Sequence, residues 1–422
     1  MLKDKLRKTT GSIFYNNVRS DKGEIIQATD EKRKKLDSYD TIYLQIGNRK
    51  EWWIYFLAAM LEQKNVVLVD VSGNHKEFIA DIDKYGHCLC VSEEDGQIIE
   101  HELDGDIIDY GEKGNIILYT TGTTGAPKGV IIPVSKFYAN QVAINERFGI
   151  TEMDSSIHIF NPAHAMGLAF GVLCFLEGED FYAYENPMLF LKNFMRIKAS
   201  VSMILPSLLD KILHHDDFLE SVSAMRFIAT GGEKISDECV RIAQDNHVRL
   251  INGYGMTECV SGVASGGIGC DIPLGAILPL MGLEMILSDE GEVLVRGNMV
   301  CERYLDGTKI TDEEGWYHTG DIGRIEGECF YIDGRMDDVV ILPNGFKVNI
   351  VELEERICKV EGVEDACAKL KNGNVYMEVV ANHRNMAILE SEFRYYEEVI
   401  IEFVDKIETI NGKKKRRGDL SK

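Results

Sequence analysis

Strand-like and helix-like segments alternate along the first half of this sequence. Residues 41–47 (TIYLQIG) have the apolar character of a buried strand, residues 51–63 (EWWIYFLAAMLEQ) are long enough for a helix, and residues 65–70 (NVVLVD) match a second strand. A strand, a helix and a strand in this order form a βαβ unit, whose strands run parallel. The pattern recurs in residues 115–147 and 202–255, with residues 207–219 as one helix. We therefore predict an α/β fold with layered sheets, which bind ligands at the carboxyl ends of their strands.

The character of the sequence changes twice after this region. Beyond about Ser265, short strands and turns dominate, which predicts a β-rich subdomain over about 265–334. After Gly334 the pattern becomes a strand, a helix that starts near Ile350, and two further strands. We predict a large N-terminal domain of residues 1–334 and a small C-terminal α+β domain of residues 335–422.

The charge balance limits the partners of the chain. The sequence has 46 basic and 69 acidic residues, a net charge of −23, which argues against a nucleic-acid or membrane-surface binder. No run of apolar residues is long enough to span a bilayer, and the basic N-terminus lacks the apolar stretch of a secretory signal. Ten scattered cysteines fit a reducing cytoplasm. For Cys88 and Cys90 in HCLCV, the spacing favours a strand with buried thiols over a metal site.

Residues 117–133 (ILYTTGTTGAPKGVIIP) place a polar, glycine-rich loop between two apolar strands. Glycine lets the backbone approach a ligand closely, successive N–H groups form an anion-binding concavity, and threonine hydroxyls and Lys128 add donors and charge. These properties predict a phosphate cradle, and a surface hairpin is the alternative. The loop is not a Walker A motif, because it returns to a strand instead of opening a helix.

Three later segments carry polar groups that suit a nucleotide. In residues 251–259 (INGYGMTEC), Tyr254 offers a ring for a flat base, and Glu258 beside Thr257 offers a carboxylate for Mg²⁺. In residues 315–325 (GWYHTGDIGRI), Asp321 occupies a glycine-flanked turn and can accept hydrogen bonds from ribose. Lys413 begins a basic run that can reach a phosphate. Taken singly, these segments also fit an ordinary loop, a local turn and a solvated tail.

Together the segments resemble the motifs of the adenylate-forming superfamily, which includes acyl-CoA synthetases, adenylation domains and luciferases. YTTGTTGAPKGV resembles the phosphate-loop motif, with Thr121 in place of the common serine. NGYGMTE resembles the adenine and Mg²⁺ motif, GWYHTGD the ribose motif, GRMDD the hinge motif, and TINGKKKR the segment with the catalytic lysine. The five motifs follow one another in the order that the superfamily shows.

The resemblance implies a two-step ligase, in which a carboxylate attacks ATP to form an acyl-adenylate and a thiol then displaces AMP. It implies Lys413, Glu258 and Thr257 as catalytic residues, and Glu258 and Thr121 as ligands of Mg²⁺. His164, in residues 160–173, would lie at the mouth of the acyl pocket. The implied ATP-binding residues are Thr120, Thr121, Gly122, Thr123, Thr124, Gly125, Lys128, Gly232, Glu233, Asn252, Gly253, Tyr254, Gly255, Asp321 and Arg335. The resemblance also implies that the small domain rotates about a hinge near Asp337.

The identity of the two substrates is less constrained. Amino-acid adenylation domains usually carry an aspartate near His164, and residues 160–173 contain none, which favours an acyl or aryl acid. The final domain is short, and it has Ile350 where many relatives have proline. These departures leave two candidate thiol acceptors, CoA and a carrier-protein phosphopantetheine. The alternatives are a stand-alone amino-acid-activating domain and a non-catalytic AMP-binding member. We expect a cytoplasmic protein that binds neither nucleic acid nor membrane, and the sequence leaves the oligomeric state open.

Overall fold

The structure is a computed structural model. It describes residues 2–47, 49–71, 86–105, 110, 113–120, 128–159, 161–267, 272–341, 347–371, 374–381, 399–407, 409–410 and 413–414. The chain divides into two compact units. Unit 1 comprises Met1–Ser288, Leu294–Thr319 and Arg324–Tyr331, and unit 2 comprises Asp289–Val293, Gly320–Gly323 and Ile332–Lys422.

The described α-helices lie mostly in unit 1. They are α1 (Leu2–Leu6), α2 (Lys22–Leu36), α3 (Lys50–Leu61), α4 (Val134–Phe148), α5 (Ala165–Glu177), α6 (Pro187–Phe194), α7 (Pro206–Leu213), α8 (Asp216–Ser223), α9 (Asp237–Asp245) and α10 (Ile350–Cys358). Short 3₁₀ helices occupy Thr257–Cys259 and Met336–Asp338. None of the helices that the structure describes is long and apolar enough to cross a membrane.

The described strands are numbered in chain order. They are β1 (Ser12–Tyr15), β2 (Val18–Asp21), β3 (Thr41–Gln45), β4 (Asn65–Leu68), β5 (Cys88–Glu94), β6 (Gln97–Leu103), β7 (Asn115–Thr120), β8 (Lys128–Pro133), β9 (Ser156–His158), β10 (Phe181–Ala183), β11 (Val201–Met203), β12 (Phe227–Gly231), β13 (Leu250–Gly255), β14 (Gly262–Ser265), β15 (Leu278–Pro279), β16 (Leu283–Leu287), β17 (Glu292–Gly297), β18 (Tyr317–Glu326), β19 (Cys329–Arg335), β20 (Val339–Ile341), β21 (Lys347–Asn349), β22 (Val363–Lys371), β23 (Asn374–Ala381), β24 (Val399–Phe403), β25 (Thr409–Ile410) and β26 (Lys413–Lys414).

A six-stranded sheet with the order β6-β5-β3-β4-β7-β8 contains the first βαβ unit. Its inner strands β5, β3, β4 and β7 run parallel. The strand–helix–strand prediction is therefore confirmed, with α3 as the connecting helix. Cys88 and Cys90 are buried in β5, where we predicted a strand. The carboxyl ends of β4 and β7 are neighbours.

A nine-stranded sheet has the order β15-β14-β13-β12-β11-β9-β10-β1-β2. Its strands from β13 to β1 are parallel, and β2, β14 and β15 are antiparallel additions at the edges. Buried aliphatic and aromatic residues, among them Phe190, Phe194 and Leu209, pack on one another beside this sheet. The two parallel sheets confirm the predicted α/β fold class.

Helix α5 is buried along most of its length and begins directly after His164. At its other end the side chain of Lys22, which is fully buried, donates hydrogen bonds to the carbonyls of Phe175 (2.9 Å) and Gly178 (2.8 Å). Burial lowers the pKa of Lys22 to about 8. These bonds satisfy carbonyl groups that a helix terminus leaves unpaired, and they fix the helix that presents His164.

The single helix predicted for residues 207–219 is wrong. The structure has two helices, α7 and α8, which are separated at His214 and His215. His215 has an extended backbone (φ −119°, ψ 120°), and Asp216 and Asp217 follow it in the first turn of α8. Acidic residues stabilise the amino end of a helix, which favours a new start at this point.

Unit 2 contains a smaller core. β22 and β23 are antiparallel, β24 adds parallel to β23, and α10 packs on them. Ile350, Leu353 and Ile357 of α10 meet Val375 and Met377 of β23. An apolar helix face against one face of a sheet is a stable two-layer arrangement. The predicted helix near Ile350 is confirmed.

Candidate functional site

The predicted phosphate loop is carried by a β-hairpin. β7 and β8 pair antiparallel, and Thr120 lies opposite Lys128. Residues 121–127, which include the predicted Thr121, Gly122, Thr123, Thr124 and Gly125, lie outside the described residues. The pairing fixes both ends of the loop, and Lys128 is the exposed first residue of the returning strand.

The predicted adenine segment is more regular than the sequence indicated. We predicted a loop from Ile251, whereas β13 continues through Tyr254 to Gly255. The strand continues because β12 pairs with it on one side and β14 on the other. Glycine makes this possible: a Cβ on Gly255 would lie 1.7 Å from the carbonyl oxygen of Ser261. Asn252 donates a hydrogen bond from Nδ2 to the carbonyl of Gly275 (3.0 Å).

Glu258 lies in the 3₁₀ turn Thr257–Cys259, and a strained residue follows it. Val260 has φ 70° and ψ −54°, and the N–H of Ser261 donates to the carbonyl of Cys259 (2.8 Å). This is a γ-turn with positive φ, which is rare and unfavourable for a β-branched residue. Such backbone strain costs about 1–3 kcal/mol and persists only where surrounding contacts enforce it.

The carboxylate of Glu258 meets the phosphate-loop hairpin through Tyr304. The Tyr304 hydroxyl donates to Glu258 Oε1 (2.9 Å), and the Lys128 Nζ lies 5.0 Å from the centre of the Tyr304 ring. β7 and β8 also pack against the Thr257–Cys259 turn. The structure thus brings together Lys128, Thr257 and Glu258, three residues that we predicted separately.

Two buried cysteines accompany this turn. Burial raises the pKa of Cys301 to about 12 and the pKa of Cys259 well above its ordinary value. A thiol is nucleophilic only as the thiolate. Both residues are therefore packing residues, and neither is a candidate acceptor of an acyl group.

His164 has a partner that our sequence analysis missed. Its Nε2 lies 3.1 Å from Oδ2 of Asp70, 94 residues away in the chain. Asp70 follows β4, and His164 precedes α5 after the end of β9. The sequence did contain a signal for Asp70. It is the last residue of the predicted strand 65–70, and the carboxyl ends of strands are where this fold class binds ligands. We had sought an aspartate only within residues 160–173.

These contacts connect the two parallel sheets at their carboxyl ends. The pair of Asp70 and His164 joins the end of β4 to the residues after β9, and Tyr304 joins the hairpin to the turn after β13. Carboxyl ends of parallel strands are where α/β folds bind ligands. Among the described residues, the predicted site residues Lys128, His164 and Glu258 take part in these contacts.

Gly232 and Glu233, also in unit 1, follow β12. Gly232 has φ +83°, a conformation that L side chains rarely adopt, so glycine is required there by its backbone. The carboxylate of Glu233 is exposed and accepts a hydrogen bond from the N–H of Ser207 (3.2 Å), in the first turn of α7. An acidic group at a helix amino end is favourable. A nucleotide role for Glu233 stays a prediction.

The predicted ribose residues lie in unit 2. Asp321 was predicted in a turn, but it occupies β18, where glycine on its amino side (Gly320, φ +70°) tolerates the local twist. Asp321 is 7% exposed, and Arg335 donates from Nη1 to its Oδ1 (2.9 Å). The structure therefore pairs two predicted nucleotide ligands with each other. Asp337, the predicted hinge, lies in the 3₁₀ helix Met336–Asp338.

Lys413 begins β26, which pairs antiparallel with β25 so that Lys413 lies opposite Ile410. The backbone thus holds the predicted catalytic lysine in a short hairpin of unit 2. The position of its side chain lies outside what the structure describes, and its role stays a prediction.

Comparison with known proteins bears on these motifs. The model of the AMP-binding enzyme family matches residues 109–305. A 2-succinylbenzoate–CoA ligase of Listeria monocytogenes serovar 1/2a is 28% identical over 395 residues, which cover 86% of this chain and 78% of that protein. The same enzyme from serotype 4b is 28% identical over 271 residues, 59% of this chain and 55% of that protein. Residues 109–305 thus match the AMP-binding enzyme family, and a larger part of the chain is similar to a CoA ligase.

One solved structure has a similar fold. It is the O-succinylbenzoate CoA synthetase of Bacillus subtilis in complex with AMP, with a TM-score of 0.82, 19% identity, and coverage of 100% of this chain and 98% of that one. That enzyme has also been solved with ATP and a magnesium ion. At this identity the likeness shows the fold.

The carboxylate of Glu258 fits a hard divalent cation. No cluster of three or more His, Cys, Asp and Glu side chains occurs among the described residues, so a cage built by the protein alone is not found in that part of the chain. Mg²⁺ commonly takes one or two carboxylates and completes its shell with water and phosphate oxygens. Glu258, in the turn that packs against the phosphate-loop hairpin, provides a carboxylate of this kind, and the second predicted ligand, Thr121, lies outside the described residues.

A cavity of about 460 Å³ lies elsewhere in unit 1, lined by Lys32, Tyr55 and Glu100 among others. Lys32 and the Tyr55 hydroxyl both contact the Glu100 carboxylate, and Lys32 donates to the Tyr55 oxygen (2.7 Å). Lys32, Tyr55 and Glu100 thus bond one another, and none of the predicted site residues lines the cavity.

Proposed function

We propose that this chain activates a carboxylic acid with ATP and transfers the acyl group to a thiol. In the first step a carboxylate oxygen attacks the α-phosphorus, the bond from that phosphorus to the bridging oxygen breaks, and pyrophosphate leaves. In the second step a thiol sulfur attacks the acyl carbon, AMP leaves, and the thiol proton is released. The product is a thioester of CoA or of a carrier-protein phosphopantetheine.

The residues of the site suit the first step. Two anions must approach each other, so positive charge and donors aimed at the phosphates lower the barrier. Thr120 and Lys128 hold the two ends of the loop that would bind the phosphates. Glu258 and Thr121 would hold Mg²⁺, which when bound neutralises phosphate charge, and Thr257 would contact the α-phosphate. Asp321 and Arg335 would bind the ribose, and Lys413 would bridge the attacking carboxylate and the phosphate.

One observation carries most of this proposal. Lys128 and Glu258, from different sheets and far apart in the sequence, converge on Tyr304 at the junction of the strand ends. A lysine and a carboxylate placed around one anion and its metal ion are the elements that phosphoryl chemistry requires. Either residue alone has an ordinary structural explanation.

Pyrophosphate release over a panel of acids tests the proposal. We expect one group of acyl or aryl acids to release pyrophosphate only with ATP and Mg²⁺, and addition of CoA or a phosphopantetheinylated carrier to give a thioester detectable by mass spectrometry. The panel includes amino acids. If no acid supports release while AMP still binds, the chain is a non-catalytic AMP-binding member and the proposal fails.

The contact between Asp70 and His164 favours a second candidate, an amino-acid-activating enzyme. An aspartate near His164 is the feature whose apparent absence had argued against amino acids. A carboxylate at that point can pair with a substrate ammonium group. Because Asp70 already contacts His164, we keep an acyl or aryl acid as the first candidate.

An Asp70→Asn variant separates the two candidates. Asparagine keeps an oxygen that accepts a hydrogen bond from His164 and loses the negative charge. For an acyl or aryl acid we expect the KM of the acid to stay within about twofold, whereas loss of an ion pair to an ammonium group raises it at least about tenfold. Steady-state pyrophosphate release measures KM and kcat separately. The control is Asp217→Asn on the exposed surface of α8, and a tenfold rise confined to Asp70→Asn would favour the amino-acid activity.

A further inference from the structure

The segment around Tyr304 is bonded through its backbone to both halves of the site in unit 1. The N–H of Cys301 donates to the carbonyl of Glu258 (2.8 Å), and the N–H of Leu305 donates to the carbonyl of Gly129 (2.7 Å). Tyr304 also lies opposite Val130 in an antiparallel bridge. Residues 304–305 thereby pair with the edge of β8. Cys301, in the same segment, is bonded to the turn that carries Glu258. The backbone position of Tyr304 is therefore fixed from two sides.

The side chain of Tyr304 makes three contacts from this position. Its hydroxyl donates to Glu258 Oε1 (2.9 Å), its ring lies 5.0 Å from the Lys128 Nζ, and the Tyr317 side chain hydrogen-bonds its hydroxyl. Tyr317 belongs to the predicted ribose motif and to the same unit. The Tyr304 hydroxyl therefore lies between the Glu258 carboxylate and the Tyr317 side chain.

We propose that Tyr304 is a positioning residue, which orients the Glu258 carboxylate toward the metal ion and holds Lys128 beside the phosphates. This inference rests on the proposed function and adds a residue outside the recognised motifs. With Oε1 committed to Tyr304, Oε2 is the oxygen that we assign to the cation. The ring face attracts the ammonium group through a cation–π contact, which limits the directions that Lys128 can take. One side chain thus couples binding of the metal ion to binding of the nucleotide.

Coupling of this kind has a thermodynamic signature. If Tyr304 orients Glu258, then Mg²⁺ strengthens ATP binding more in the wild-type protein than in a variant without the hydroxyl. A hydrogen bond to a charged group contributes about 1.5–3 kcal/mol, which corresponds to roughly a tenfold to hundredfold change in an equilibrium constant. A purely structural tyrosine would lower stability without changing the ratio of ATP affinities with and without Mg²⁺.

The test uses Tyr304→Phe in the full chain, which removes only the hydroxyl and keeps the ring over Lys128. Calorimetric titration gives the Kd of ATP with and without Mg²⁺. We expect the ratio of the two values to fall at least about tenfold, and the Mg²⁺ concentration for half-maximal pyrophosphate release to rise by a similar factor. The KM of the acid is expected to stay within about twofold, because Tyr304 contacts ATP-binding elements.

Two further variants make the result interpretable. Tyr55→Phe is the matched control, since its hydroxyl also bonds a glutamate in unit 1, at the separate cavity. Tyr317→Phe removes the other side-chain bond to the Tyr304 hydroxyl, so it should shift the Mg²⁺ requirement in the same direction by a smaller factor. If Tyr304→Phe does not fold, as judged by its Tm, the shift in Mg²⁺ requirement of Tyr317→Phe tests the inference instead. An unchanged ratio in a folded variant would overturn the inference. Failure of every acid in wild-type protein would instead overturn the proposed function, and the calorimetric ratio still tests the inference.

Discussion

Replacing Lys413 by alanine is expected to slow pyrophosphate release by about a thousandfold while ATP still binds with nearly its normal Kd. Removal of one preorganised donor at a developing charge reduces turnover by about 10²–10³, and a lysine adds full charge to that donor. Binding persists because the phosphate hairpin and the nucleotide residues remain. Pyrophosphate release and calorimetric ATP binding measure the two quantities separately.

The neighbouring lysine provides the control. Lys414 occupies the same two-residue strand β26, so Lys414→Ala removes the same charge from the same hairpin. We expect it to change pyrophosphate release less than about threefold, because the resemblance assigns the catalytic role to Lys413 and none to Lys414. Equal losses in the two variants would indicate a general charge effect, and near-normal release by Lys413→Ala would remove Lys413 from the mechanism.

Substitution of Gly255 by alanine is expected to have the largest effect on both stability and activity among changes in unit 1. The added Cβ would lie 1.7 Å from the carbonyl oxygen of Ser261, a backbone atom that cannot rotate away. Overpacking of this kind lowers the free energy of unfolding by about 3 kcal/mol or more. The strand end must separate from the γ-turn, which displaces Glu258. A displacement of about 1 Å at a catalytic group can reduce turnover about a hundredfold.

Gly171→Ala is a suitable control for that experiment. It lies inside α5, where the nearest atom to an added Cβ is 3.7 Å away, an ordinary contact distance. Alanine stabilises a helix interior by about 0.5–1 kcal/mol relative to glycine. Urea denaturation of the three proteins should therefore order them as Gly171→Ala, wild type and Gly255→Ala. A Gly255→Ala protein as stable as wild type would contradict the close approach of the two strands.

Much of the fold can be predicted from patterns within short segments of the sequence. The first βαβ unit, the hairpin around the phosphate loop and the helix near Ile350 each follow from apolar runs and glycine positions that lie close together in the sequence. The errors have local causes too. Residues 207–219 look like one helix because His214 and His215 are compatible with helix, and Asp321 looks like a turn residue because glycines flank it. Pairing with a neighbouring strand decides the second case, and such pairing is not visible in a single segment.

The site was less accessible to prediction. The order of the motifs assigned Lys128 and Glu258 to the same ATP-binding site. Tyr304, which contacts both residues, lies between the motifs, and no sequence pattern marks it. Asp70 and His164 are 94 residues apart, so only the adjacency of the two sheets reveals their contact. Long-range side-chain contacts depend on tertiary packing, and one sequence does not encode them as a pattern. The nucleotide roles of Asp321, Arg335 and Lys413 remain predictions for experiment.

The hairpin of β7 and β8 has a consequence for engineering. Thr120 and Lys128 face each other across the pairing, and Leu305 secures the second strand through Gly129. Six residues of each strand are paired, so the strands themselves contribute to the register of the hairpin. A loop of different sequence and the same length, taken from a similar ligase, is therefore the conservative exchange at residues 121–127, with Thr120 and Lys128 as its boundaries. Such chimaeras would show which properties belong to the loop and which belong to its frame.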